Sequence, residues 1–310
     1  MVDPSGGRRA LAAAAGVAAA AAVWGVGIER HWFAVRHRTV RVLPAGSTPI
    51  RVLHLSDMHL APWQRRKRDW VARLAALRPD LVVDTGDNLG HPLALPAVRR
   101  ALSPFAGTPG VHVHGSNDVW APKPRNPFRY FTGPSLIAPD VSRLDTDRLD
   151  ALLEGDLGWF GLNNDSVAFD VRGHRIRFIG TNDPHLEYDD FDELDTTMSD
   201  LPEPDITIGV THAPYRRVLD GFMQRGADVI FAGHTHGGQV RVPGIGALVA
   251  NCDLPLRQTR GLSTWTHRGR QAALNVSAGL GHSIYAPVRF ACRPEVSLIT
   301  LAPRLSSPLS

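Results

Sequence analysis

Five times along this chain an apolar run stops at a turn carrying a carboxylate, an amide or an imidazole. Residues 50–55 run into Ser56-Asp57-Met58-His59, and residues 81–83 into Asp84-Thr85-Gly86-Asp87-Asn88. The run beginning at Val111 closes on His114-Gly115-Ser116-Asn117-Asp118, residues 206–210 meet Thr211-His212-Ala213-Pro214, and residues 228–232 end at Gly233-His234-Thr235-His236. Between the first three lie stretches of helical periodicity, 63–77 and 93–102, the former carried by Trp70, Leu74 and Leu77. Alternating strand and helix predicts parallel βαβ units, and in such sheets the exits of adjacent strands converge on one site. Core histidines or helix caps account for any one of these turns but not for the set. At the last turn, Gly233, Gly237 and Gly238 allow the bend that lets both imidazoles reach one centre.

The N-terminus is of another kind. Residues 10–28 contain no charge and ten alanines, between Arg8-Arg9 and Glu29-Arg30-His31-Trp32-Phe33. As a helix this run is roughly 28 Å long, close to the hydrocarbon thickness of a bilayer. Trp24, Trp32 and Phe33 suit an interfacial belt, and no polar face interrupts the run as it would in a soluble helix. Arg8-Arg9 match a twin-arginine export signal without a clean cleavage site, and an uncleaved signal anchor reconciles the two readings. Export places the following domain outside, whereas Arg30, Arg36, Arg38 and Arg41 favour the cytoplasmic side. The side of the membrane stays open. We therefore expect a single-pass anchor and linker over residues 1–46, one catalytic domain over 47–303 and a frayed tail over 304–310.

A hydrophobic share of 43% supports a sizeable core over 310 residues, and a net charge of +4 favours anionic partners without naming one. Val119 opens a segment to Asp150 with Pro122, Pro124, Pro127, Pro134 and Pro139, which reads as an ordered insertion or lid. Segments 166–171 and 175–179 form an expected hairpin, an acidic helix follows near 189–199, and further strands include 273–276 and 296–300. Two cysteines, Cys252 and Cys292, do not make a disulfide framework, and whether they pair is open.

The strand-end motifs Asp57-Met58-His59, Gly86-Asp87, Thr211-His212 and Gly233-His234-Thr235-His236 resemble the calcineurin-like metallophosphoesterase superfamily over about residues 50–301. The Gly237-Gly238-Gln239 continuation is similar to its bacterial, often membrane-associated branch. The resemblance implies two packed mixed β-sheets flanked by helices, and two divalent metal ions (Mn, Fe or Zn). Carried over by motif, Asp57, His59 and His236 would hold one ion, Asn117, His212 and His234 the second, and Asp87 both. Oxygen and nitrogen donors without thiolate suit such metals, and a shared carboxylate sets two ions about 3.5–4 Å apart, close enough for a bridging hydroxide to attack phosphorus. The implied activity is that of a phosphoester hydrolase, a phosphodiesterase on a membrane-proximal or lipid-linked substrate.

The third motif departs from the family's G-N-H-[DE], reading Gly115-Ser116-Asn117-Asp118. Aligned without a gap, Ser116 stands at the ligand position; slid by one, Asn117 keeps it and Asp118 approaches the place of the histidine that protonates the leaving group. An amide oxygen is the better ligand, which favours Asn117. Both registers lack the usual acid. The proton would then come from Asp118, from His114, His185 or His282, or from water, and substrates with good leaving groups would be favoured.

Arg65-Arg66-Lys67-Arg68 is either a solvated helix face or a surface for anionic head groups near the membrane span. No dedicated nucleic-acid module is legible. The competing functional class is a scaffold of the same fold that has lost catalysis and binds a protein or lipid partner.

Overall fold

The computed structural model describes residues 4–124 and 141–305, with side chains from residue 8. A helix, Pro4–Ala22 (α1), continues through a wide π-helical turn, Val23–Ile28, and a 3-10 turn, Glu29–His31. Residues 8–31 are long and apolar enough to cross a membrane, and this helix packs almost none of its length against the rest of the chain.

The chain then builds β1 (Ala34–Leu43), β2 (Ile50–Leu55), α2 (Arg65–Arg73), β3 (Leu81–Asp84), α3 (Leu95–Leu102), β4 (Gly110–His112), α4 (Ser116–Val119), α5 (Thr146–Asp150) and β5 (Phe160–Gly161). It continues with β6 (Ser166–Val171), β7 (His174–Gly180), α6 (Phe191–Met198), β8 (Ile206–Thr211), α7 (Arg216–Gln224) and β9 (Val229–Ala232). The remaining strands are β10 (Arg241–Val242), β11 (Gly246–Ala247), β12 (Gly261–His267), β13 (Arg270–Val276) and β14 (Glu295–Pro303).

Two six-stranded mixed sheets result, with orders β1-β14-β2-β3-β4-β5 and β12-β13-β9-β8-β7-β6. β2, β3, β4 and β5 run parallel, as do β7, β8, β9 and β13, so the predicted βαβ arrangement is present in both sheets. The hairpin expected near 166–179 is β6 against β7. The period of two sorts each strand's residues onto two faces. Val52, Val83 and Val111 join Phe178, Ile208, Val210 and Phe231 in the core between the sheets, while Leu53, Leu55 and Val82 pack with Val98, Leu102 and Phe105 beneath the first sheet's helices. Leu219, Phe222 and Leu274 form a third core on the far face of the second sheet.

Residues 34–43, which the sequence placed with the linker, form the ten-residue edge strand β1, parallel to β14. Arg36, His37, Arg38 and Arg41 hid it, because an edge strand exposes one face and tolerates charge there. The proline-rich insertion lies largely outside the described residues. Cys252 and Cys292 are both free thiols.

Candidate metal centre

Each parallel strand delivers its ligands by an abrupt backbone turn rather than by a regular continuation. Asp57, His59, Asp87, His234 and His236 all have left-handed backbones, with φ between 38° and 65°. Such φ values are uncommon for non-glycine residues, and their concentration at one place marks a site over-determined by its surroundings. The close approach of the turns depends on small residues. A Cβ at Gly233 would fall 2.6 Å from Asp57 Oδ2, and one at Gly115 would fall 2.6 Å from Cε1 of His212.

Asp87 stands at the middle. Its Oδ2 lies 3.3 Å from Nε2 of His59, 3.6 Å from Nε2 of His212 and 2.9 Å from Nδ2 of Asn117. On one side Nε2 of His59 faces Nε2 of His236 at 3.3 Å, with Asp57 Oδ1 3.8 Å from the latter. On the other side Nε2 of His212 faces Nδ1 of His234 at 3.3 Å. The far nitrogens of this second pair are occupied: Nδ1 of His212 donates to the Thr85 carbonyl at 2.8 Å, and Nε2 of His234 lies 3.1 Å from the Asn251 carbonyl. Burial acts to lower His212, but Asp87, Asp183 and Asp57 raise it to about 9, so a proton lies between the two inward nitrogens and a cation entering there would displace it. Asp57, His59 and His236, and likewise Asp57, Asp87 and His212, bring ligand atoms within 4.8 Å of one another. The donor set fits two divalent ions of the Mn, Fe or Zn class.

Most protonation states suit that role, while Asp57, raised by burial to about 7, and His212 would each give up a proton to a cation. Burial pushes His59 down to about 4 and His234 and His236 well below their ordinary values, so these rings are neutral. Burial also opposes ionisation of Asp87, but His212, His59 and the hydrogen bonds from Asn117 bring it down to about 2. Metal ligands need this pairing of neutral imidazole and ionised carboxylate.

The altered third motif divides its residues among three tasks. The Asn117 backbone N–H donates to Asp87 Oδ1 at 2.7 Å and its amide lies against Oδ2, where a half-turn of the amide plane exchanges Nδ2 for Oδ1. Ser116 leaves the cluster and donates its hydroxyl proton to Asp183 at 2.5 Å. Asp118, which the sequence offered as a substitute acid, is instead buried and accepts four backbone N–H bonds, from Asp87, Asn88, Leu89 and Gly115, at 2.7–3.1 Å. With both oxygens so engaged it braces the Asp87 turn and faces no open space. Of the other three candidates, His114 pairs with Asp150 at 2.7 Å and His282 bonds to the Ser283 carbonyl. His185 packs its ring against His234, with centroids 4.4 Å apart, and its Nδ1 lies 3.0 Å from the Tyr215 hydroxyl.

Two supporting basic side chains were missed in the sequence. Lys67 is buried, and its Nζ donates to the carbonyls of Met58 and His59 at 2.7 and 3.1 Å. The basic run is thus not one solvated face, since its third member turns inward to hold the Asp57–His59 turn. Arg289 is fully buried and donates to the carbonyls of His236, Gly279 and Gly281, with Nη2 3.3 Å from Nδ1 of His236. Nothing adjacent to Arg289 in the sequence announces it, whereas Lys67 could have been suspected from its i, i+4 spacing with the apolar Val71 on one face of α2.

The family described as calcineurin-like phosphoesterase matches residues 50–238. The chain is 25% identical over 260 residues to YpbG of Bacillus subtilis (strain 168), covering 83% of this chain and 82% of that protein. It is likewise 25% identical over 279 residues to the phosphodiesterase YaeI of Escherichia coli (strain K12), covering 88% and 90%. Among solved structures, TT1561 of Thermus thermophilus aligns over 75% of this chain and 91% of that one, at 11% identity and a TM-score of 0.42.

Proposed function

Given that this chain belongs to the calcineurin-like phosphoesterase family and is a metal-dependent phosphoesterase, we propose that it cleaves phosphodiesters presented at a membrane surface. The observation that carries the reading is the pair of facing imidazole couples, His59 with His236 and His212 with His234, on either side of Asp87 Oδ2. Asp57, His59 and His236 would hold one ion, Asn117, His212 and His234 the other, and Asp87 both. When bound, two divalent ions supply Lewis-acid charge at phosphorus and acidify the water that attacks it.

The protein's own groups position and protonate. Thr85 and Asn251 fix the rings of His212 and His234 from behind, and Arg289 and Lys67 fix the backbone of the opposite half-site. No protein nucleophile is needed. We assign leaving-group protonation to His185, whose ring rests on His234 and whose other nitrogen is oriented by Tyr215.

The preference for a diester rests on the relative named as a phosphodiesterase, and the membrane setting on the helix of residues 8–31. Trp24, Trp32 and Trp63 remain partly or largely exposed, as interfacial side chains do. The test is hydrolysis of bis-p-nitrophenyl phosphate by the full chain with and without Mn²⁺, with Asp87→Asn as control. A panel of phospholipids, sugar-nucleotide lipids and nucleotides then reads the class. Turnover confined to soluble nucleotides would overturn the membrane-presented substrate. A scaffold that had lost catalysis would have no reason to keep five strained ligand backbones.

A further inference from the structure

Outside the cluster built on Asp87, the side chains of His112, His114 and Asp150 bring one ligand atom each within 4.8 Å of one another. His112 and His114 leave β4 two residues apart and so share a face of the extended chain. Asp150 ends α5, and Glu154 stands four residues on, in the wide helical turn Ala151–Asp156, so these carboxylates share a helix face. Nε2 of His114 lies 2.7 Å from Asp150 Oδ1, and Nε2 of His112 lies 3.4 Å from Glu154 Oε1. The two imidazole centroids are 5.7 Å apart.

Ordinary hydrogen bonding explains only half of this arrangement. His114 has Asp150 on Nε2, and the Asn163 amide 3.3 Å from Nδ1. His112 is fully buried, yet neither of its ring nitrogens has a hydrogen-bond partner, since the approach of Glu154 falls short of bonding geometry. An orphaned buried imidazole is costly and calls for a reason. Space for one exists, because residue 161 is glycine: a Cβ there would fall 2.5 Å from Glu154 Oε1 and 3.4 Å from Nε2 of His112.

The geometry points to a third metal site, separate from the dinuclear centre, in which His112, His114, Asp150 and Glu154 hold a divalent cation of the Zn²⁺ class. Two imidazoles and two carboxylates suit that ion. Burial lowers His112 and keeps its lone pair free. At His114 burial acts downward, but the hydrogen bond that it donates to Asp150 prevails and raises it. Imidazole binds metal only in its neutral form, so affinity falls with falling pH. The ion would strap α5 to β4, the strand that leads into Asn117, and so act as a structural clasp.

The full chain in detergent is stripped with a chelator, titrated with Zn²⁺, freed of excess metal and analysed for bound zinc. Three equivalents per chain are expected, and two in His112→Gln. Glu154→Gln, altering a half-exposed side chain, serves where His112→Gln does not fold; it should weaken only the third equivalent, by more than the roughly 10–100-fold that loss of a supporting partner costs. Saturation of the unmutated chain at two equivalents, or three tight equivalents in both variants, would overturn the site. Zinc counting is independent of turnover, so its outcome is separate from that of the phosphodiesterase assay.

Discussion

Arg289 donates from Nη1 to the carbonyl of His236 at 3.1 Å, while its own backbone N–H donates to the carbonyl of Gly25 in the N-terminal helix at the same distance. One buried residue thereby joins the apolar helix to a histidine of the candidate metal centre. Glu29 strengthens the joint, accepting the backbone N–H groups of Ala291 and Cys292 at 2.9 and 2.6 Å. A side chain at position 25 would collide with the Arg289 carbonyl, its Cβ falling 2.9 Å away, so the helix docks here through glycine.

Replacing Arg289 by Met should therefore act through His236 and leave the fold largely intact. We expect metal affinity of the Asp57–His59–His236 half-site to fall about 10–100-fold, with the second half-site unchanged. Stepwise metal titration followed by isothermal calorimetry separates the two. An equal loss at both steps would mean that Arg289 supports the fold and not the ligand.

Asp118 and His185 should separate cleanly in kinetics. Asp118→Asn leaves two of the four backbone N–H groups facing an amide nitrogen, because each carboxylate oxygen accepts two of them, for a loss of about 1–3 kcal/mol per group in unfolding free energy. Its effect on kcat should not vary with the leaving group. His185→Gln should instead lower kcat by about 10²–10⁴-fold for poorly leaving alkoxides and far less for p-nitrophenolate. Plots of log kcat against leaving-group pKa for both variants decide, and a slope changed only in Asp118→Asn would reverse our assignment.

Acid should destabilise the protein in part through His54, which lies outside the metal centre. It is fully buried between Thr85 and Asn275, and burial lowers it to about 3 from an ordinary 6.5. The unfolded chain binds this proton below pH 6.5 while the folded chain refuses it until about 3, so the contribution is fully present above 6.5 and is lost as pH falls towards 3. The full effect is on the order of 5 kcal/mol. Denaturant midpoints of the metal-free protein between pH 7 and 4 should fall less steeply in His54→Gln than in the unmutated chain.

The basic run of α2 should divide into two functions. Substituting Arg65 and Arg66, both exposed, with Gln should weaken binding to anionic vesicles and spare the metals. Lys67→Met should do the reverse, because Nζ holds the carbonyls of the Asp57–His59 turn and never meets solvent. Vesicle flotation and metal analysis on the same two proteins check both halves.

Much of this protein is written locally. Apolar runs, each halted by a polar turn, determine β2, β3, β8 and β9, and the residue types in those turns mark Asp57, His59, Asp87, His212, His234 and His236 as candidates for one chemistry. Periodicity and donor type are properties of short stretches, so they survive without coordinates. Asn117 was legible as a ligand candidate for the same reason, while its neighbours were not: whether Ser116 and Asp118 face the cluster, Asp183 or the backbone depends on how one short turn packs against Asp87. Arg289 and Glu29 were invisible because their partners are carbonyls and N–H groups brought from up to 263 residues away, as between Glu29 and Cys292. Every residue carries such backbone groups, and no pattern in the chain marks which of them the tertiary structure will leave needing a charge.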